Sequence, residues 1–214
     1  MNEKLQESAQ YLKCCSNAEI EAFKLYETLS KKINQPESSF VLGLAYDSLK
    51  CAKILQGILD HLDLSELENA YCKKNITQLA SDTAVLSRKI SKTNNLHFQI
   101  CGEILKELVQ MEDLLSEVYS SFLQSSGPKM IADEYSGVVF VNSGNLKKIL
   151  ETFIEQKAKH RETLIEVKYW IESKQAELIR QITPVVQYQN PDAWIRESTI
   201  HAFNNTTTRP STEL

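Results

Sequence analysis

AEIEAFKLYETL at 18–29 and MEDLLSEVYSSFL at 111–123 decide the fold of this chain. Both carry apolar residues three and four apart, the spacing that lines them along one face of an α-helix. In each, a glutamate stands on that face seven residues ahead of a tyrosine: Glu19 before Tyr26, and Glu112 before Tyr119. Seven residues make about two helical turns, so each pair shares one stripe. Extended outward, the first stripe reads Leu12, Cys15, Glu19, Ala22, Tyr26, Leu29, Ile33. The other reads Cys101, Leu105, Leu108, Glu112, Leu115, Tyr119, Phe122. Two more segments carry equivalent stripes: Val41, Leu44, Ser48, Cys51, Leu55, Ile58, Leu62, and Leu146, Leu150, Phe153, Lys157, His160, Leu164, Val167, Ile171. Stripes of this spacing suit bundle packing. They predict four amphipathic helices over about 5–33, 37–62, 97–124 and 145–182.

Composition agrees. Only 6 glycines and 5 prolines stand in 214 residues, too few for a sandwich of many short strands with a turn every 8–12 residues. The interspersed charges, net −4, are those of solvated helix faces and give no footprint for nucleic acid. The polar start MNEKLQESAQ lacks the apolar core of a secretory signal, and no run approaches the roughly 18 apolar residues of a membrane span. A soluble cytoplasmic protein is expected, with no membrane or nucleic-acid partner. The cysteines, 14, 15, 51, 72 and 101, are odd in number, include an adjacent pair and form no C-x-x-C, which argues against a disulfide framework or a zinc ribbon. Each is read as a small buried hydrophobe.

Two long connections interrupt the helices. Residues 65–95 carry a weaker stripe (Ile76, Leu79, Ala80, Thr83, Leu86, Ile90) and read as a crossover with its own helix. Such a crossover lets bundle helices run parallel. Residues 126–144 form the second connection, with a short strand expected at Val138–Val141. Pro184 is expected to end the last helix, so 1–182 is read as the bundle and 183–214 as an extension. That extension holds a short helix, Ala193–Phe203, started by Asn190-Pro191-Asp192, and a disordered end. Gly43, Gly57 and Gly102 lie beside the stripes, where small residues let helices approach.

Each stripe turns polar at its middle: Glu19 in the first helix, Ser48 and Cys51 in the second, Glu112 in the third, Lys157 and His160 in the fourth. A buried charge is expensive unless it is paired or metal-bound, so four coincident interruptions point to one shared polar layer. The halves also repeat. A glutamate helix is followed each time by a helix with a polar pair three apart, in YDSLKCAKIL (46–55) and in EQKAKHRETL (155–164).

On these residues the chain resembles the ferritin-like superfamily, and the rubrerythrin branch most closely, over roughly 12–62 and 101–171. The resemblance implies an all-α, ferritin-like four-helix bundle with a long helical crossover and a C-terminal helical extension. In that family, one helix of each half carries a glutamate seven residues before a tyrosine, and the next carries Glu-x-x-His. The set holds two irons with four carboxylates and two histidines. Carried over, Glu19, Glu112 and His160 match ligand positions, and Tyr26 and Tyr119 are the tyrosines beside the site. Lys157 and Ser48 stand at the two glutamate positions of the Glu-x-x-His motifs, and Cys51 at a histidine position. The rubredoxin-like tail of rubrerythrins is missing for want of cysteine pairs. Family analogy implies a homo-oligomer, a dimer by default, or a protein partner.

Charge arithmetic separates two functional readings. Glu19 and Glu112 supply −2, Lys157 supplies +1, and a protonated His160 supplies another +1, so the layer is neutral without metal. The first reading is a structural or interaction bundle that has lost its di-iron centre, with no cofactor and no catalytic residue. Lys157 then bridges Glu19 and Glu112. The second reading is a metal-binding protein or metal-dependent oxidoreductase that holds iron, manganese or zinc through Glu19, Glu112, His160 and Cys51. Asp47, beside the stripe, is a further candidate to replace the lost glutamate. His61 and His97 fall at helix ends and His201 in the tail; Trp170 is read as a packing residue, and Trp194 as the anchor of the tail helix if that helix folds back on the bundle, or otherwise as part of an exposed partner site with Ile195 and Phe203.

Overall fold

The computed structural model describes residues 3–61, 72, 74–93, 96, 98–134 and 143–188. Among them all regular structure is helical: α1 (Glu3–Ser30), α2 (Glu37–His61), α3 (Lys74–Lys92), α4 (Phe98–Gln124), α5 (Gly127–Glu134) and α6 (Ser143–Tyr188). In the four long helices every stripe residue among those described is buried except Ile33, which is half-buried, and in the weaker stripe of α3 Ala80 and Leu86 are half-buried. The all-α class therefore rests on the 3,4 spacing itself: each stripe is the face its helix hides. Among the described residues no helix is long and apolar enough to cross a membrane. The chain divides into two compact units, Met1–Ile171 and Glu172–Leu214.

Cross-helix contacts in the first unit give the directions. Ser16 Oγ donates to the Ala52 carbonyl at 3.1 Å, and the Phe23 and Tyr46 rings lie 6.5 Å apart, so α1 and α2 are antiparallel. The buried Tyr11 hydroxyl donates to the Val118 carbonyl at 2.7 Å and its ring stacks on Phe122, while Tyr26 meets Glu112 further along, so α4 is antiparallel to α1. Phe40 meets Trp170 at 5.1 Å, and Cys51 meets Gln156 at 3.2 Å, so α2 and α6 are antiparallel as well. It follows that α2 and α4 run the same way, and the connection between them must return along the bundle. The return is α3, which packs along α1 with Ile76, Leu79, Thr83 and Ile90 buried.

Four expectations change. Cys14 and Cys72 form a disulfide, with Cα atoms 5.7 Å apart. Adjacent helical residues point about 100° apart. Cys15 is therefore in the stripe while Cys14 turns to the connection that leads into α3. The pairing comes from tertiary proximity, which cysteine spacing does not encode. The second connection contains a helix, α5, where none was expected. Its start uses ordinary chemistry: the Gly127 N–H donates to Ser125 Oγ at 3.0 Å, and Pro128 in the first turn has no N–H to satisfy. Helix α6 does not stop before Pro184 but continues to Tyr188. A proline removes one donor and disfavours the helix by about 3 kcal/mol, yet the bonds on either side persist. The expected strand at 138–141, the tail helix at 193–203, His97, Trp194 and His201 lie outside the described residues.

Gly43 and Gly57 are the fourth correction. Both are on the exposed side of α2, and a Cβ built at either meets nothing within 4 Å. They do not mediate helix approach among the described residues; Gly102 alone of the three is buried. Gly43→Ala and Gly57→Ala are each expected to stabilise the protein by about 0.5–1 kcal/mol, through helix propensity alone, read as a higher urea midpoint. Gly127→Ala is expected to do the opposite, because its Cβ would lie 2.5 Å from Phe122 Cε2 inside the core.

Candidate functional site

The polar mid-points of the stripes meet in one layer. Lys157 of α6 reaches between two carboxylates, with Nζ 2.7 Å from Glu19 Oε2 and 3.4 Å from Glu112 Oε2. All three side chains are fully enclosed. The two tyrosines cross the bundle. Tyr119 of α4 donates to Glu19 Oε1 at 2.8 Å, and Tyr26 of α1 donates to Glu112 Oε1. Each glutamate is thus braced by the tyrosine of the other half, a reciprocal arrangement that the Glu-to-Tyr spacing of seven produces when α1 and α4 run antiparallel. Hydrogen bonds to a charged group are worth about 1.5–3 kcal/mol each.

His160, one turn after Lys157, places Nδ1 3.3 Å from Glu112 Oε1 and Nε2 3.5 Å from Asp47 Oδ2. Asp47 is half in solvent, its side chain 49% exposed, so His160 links the buried layer to a carboxylate at the surface. On α2, the Cys51 thiol donates to Gln156 Oε1 at 3.2 Å. Ser48 is buried, and its hydroxyl has no hydrogen-bond partner among the described residues. Asp47 thus partners His160 rather than replacing a glutamate, and Gln156 partners Cys51. The signal for both in the sequence is that each directly precedes a layer residue, Ser48 or Lys157, and so sits about 100° off the stripe, toward the α2–α6 seam.

The electrostatics follow from burial and pairing. Burial alone favours a neutral amine, but Glu112 and Glu19 outweigh it and hold the Lys157 ammonium charged to above a lysine's ordinary range. Burial likewise pushes the Glu112 carboxyl up, but the Lys157 ammonium, with His160 and the Tyr26 hydrogen bond, brings it below its usual value. Burial and the adjacent carboxylates push both phenols well up, so Tyr26 and Tyr119 serve as neutral donors. Burial, then Glu19, raises the Cys51 thiol to about 12, so it stays protonated in this arrangement at neutral pH.

A divalent metal does not fit this donor set as it is arranged. The ammonium occupies the place between Glu19 and Glu112, and it would repel a dication at short range in a low-dielectric core. Cys51 is turned to Gln156. Among the described residues no group of three His, Cys, Asp or Glu side chains is placed to hold a metal ion. Comparisons with protein-family models, curated proteins and solved structures found no match.

Proposed function

We propose that this protein is a ferritin-like bundle of the rubrerythrin-like kind in which a lysine has replaced the metal centre, and that it works as a structural or interaction module. One observation carries the reading: Lys157 Nζ stands between Glu19 and Glu112, where it neutralises charge that the family uses to hold iron. The layer then specifies register. Any axial slip of α1, α4 or α6 would strand a buried charge, a penalty of several kcal/mol. No residue of the layer is assigned a catalytic role. The assembly in which such a module acts, a homodimer by family analogy or a complex with another protein, is part of the proposal.

Elemental analysis of the purified protein tests it, together with the double variant Lys157→Glu/Ser48→Glu, which adds two carboxylates and removes the ammonium. The parent is expected to hold no stoichiometric iron, manganese or zinc after exposure to each, and the double variant is expected to gain iron. If the parent carries about one metal per chain, and His160→Ala or Glu19→Gln removes it, the reduced-site metalloprotein built from Glu19, Glu112, His160 and Cys51 replaces this reading.

A further inference from the structure

Helix α3 is fastened to α1 at both ends. At its start, Cys72 stands two residues ahead of Lys74 and is bonded to Cys14 of α1. At its end, Lys32 Nζ, just past α1, donates to the carbonyl of Thr93, just past α3, at 3.1 Å. Pairs 14–72 and 32–93 rise together, so α3 lies parallel to α1. Between the two ties, its hold is one stripe: Ile76, Leu79, Thr83 and Ile90 are buried and Leu86 half-buried. Thr83 Oγ1 gives its hydrogen bond to the Leu79 carbonyl at 2.7 Å, and lies 3.4 Å from Met111 Sδ of α4. The outer side of α3 is solvated and mostly polar, with Val85 exposed on it. Most helical stability in proteins comes from tertiary packing of an amphipathic face, so the 19 residues of α3 depend on this stripe and its two ties.

We infer that the Cys14–Cys72 disulfide is a redox-sensitive latch that keeps α3 clasped on α1, and that a dithiol reductant releases α3 as a separate, less stable unit. Cys14 is buried whereas Cys72 is partly exposed, so the incoming thiolate reaches the sulfur of Cys72. The new sulfur–sulfur bond joins the reductant to Cys72 and the Cys14 thiolate leaves, taking a proton. The second thiol of the reductant then displaces the Cys72 thiolate, which is also protonated. The reductant is oxidised to its own disulfide, and two electrons have passed to the protein. The other cysteines cannot re-form the latch from within, because Cys15, Cys51 and Cys101 are buried thiols, and burial pushes Cys51 to about 12 and Cys101 to about 11. With the latch open, α3 is held by its stripe and the Lys32 bond, and the α1 and α4 surfaces beneath it, including Met111, become intermittently exposed.

Hydrogen exchange with mass spectrometry on the full chain tests this. The protein is oxidised with glutathione disulfide, then compared with the same sample reduced by dithiothreitol and with Cys72→Ser in the absence of reductant. Peptides from 74–92 are expected to accelerate at least tenfold more than peptides from 41–59, alike in the reduced protein and in Cys72→Ser. Cys15→Ser, which keeps the latch, is expected to match the oxidised parent. The inference is overturned if α3 and α2 accelerate by the same factor, if neither changes, or if thiol alkylation of the oxidised, denatured chain still labels five cysteines rather than three.

Discussion

Lys157→Met is expected to destabilise the protein by about 3–5 kcal/mol, the usual consequence of removing one partner of a fully buried charge pair. For a chain of this size that corresponds to a fall in melting temperature of about 6–20 °C. Methionine keeps the length and volume of the lysine stem, so little of the effect comes from packing. What is lost is the ammonium 2.7 Å from Glu19 and 3.4 Å from Glu112. Both carboxylates then stand in a closed interior without the ammonium between them, each with a tyrosine donor, and with His160 beside Glu112 alone. The triple variant Lys157→Met/Glu19→Gln/Glu112→Gln removes every formal charge of that trio together, and it is expected to recover most of the loss. A triple variant as unstable as the single one would show that packing around Lys157, not its charge, is what the layer needs.

The same variant carries a pH signature whose sign is fixed. In the parent, the Glu112 carboxyl is held below its ordinary value, so its contribution is full above the unfolded carboxyl range, near pH 4.3, and is lost as pH falls through the lower folded value. Lys157, Tyr26 and Tyr119 are all raised, so their contribution is full below about pH 10 and is lost as pH climbs through the folded values. In Lys157→Met, a buried carboxyl without its ammonium prefers its proton. The stability gap between parent and variant should therefore be widest near neutrality and narrow as pH falls below about 5. Chemical denaturation at pH 4, 7 and 9 reads this directly. A gap that stays constant across that range would contradict the ion-pair account.

Much of this was legible in the sequence because it lives in period. The stripes recur every three or four residues, and a residue on a stripe is buried whichever neighbour it meets, so the four long helices and the burial of Glu19, Glu112, Lys157 and His160 follow from one chain alone. Contacts that depend on which helices are neighbours were not legible. Cys14 bonds to Cys72 because α3 returns along α1, a fact of topology that no local spacing states. Asp47 meets His160, and Gln156 meets Cys51, across the seam between α2 and α6, from positions rotated off both stripes. Pro184 misleads for a different reason: a proline disfavours a helix interior without forbidding it, and α6 runs through it to Tyr188. Gly43 and Gly57 look like contact residues until the outer face of α2 is seen to be open beside them.

Removing the disulfide is the second large effect. The Cys14→Ser/Cys72→Ser variant is expected to lose between about 2 and 4 kcal/mol of unfolding free energy relative to the oxidised parent. The bond links residues 58 apart in sequence, and closing a loop of that size restricts the unfolded chain by an amount that the chain-entropy estimate puts near 4 kcal/mol. The lower figure allows for structure that the unfolded chain keeps. Because the bond acts on the unfolded chain, its removal should reach every helix through global unfolding, while α3 loses its local anchor in addition. Urea titrations of the oxidised parent, the reduced parent and the double-serine variant separate the contributions. The last two are expected to coincide, which would assign the whole difference to the bond rather than to the serine side chains. Disulfides persist in oxidising compartments and are reduced in the cytosol. The stability this protein shows in a thiol buffer should accordingly fall to that of the double-serine variant. A loss smaller than about 1 kcal/mol, or a reduced parent as stable as the oxidised one, would mean that the disulfide adds little to what the apolar stripe and the Lys32 bond already hold.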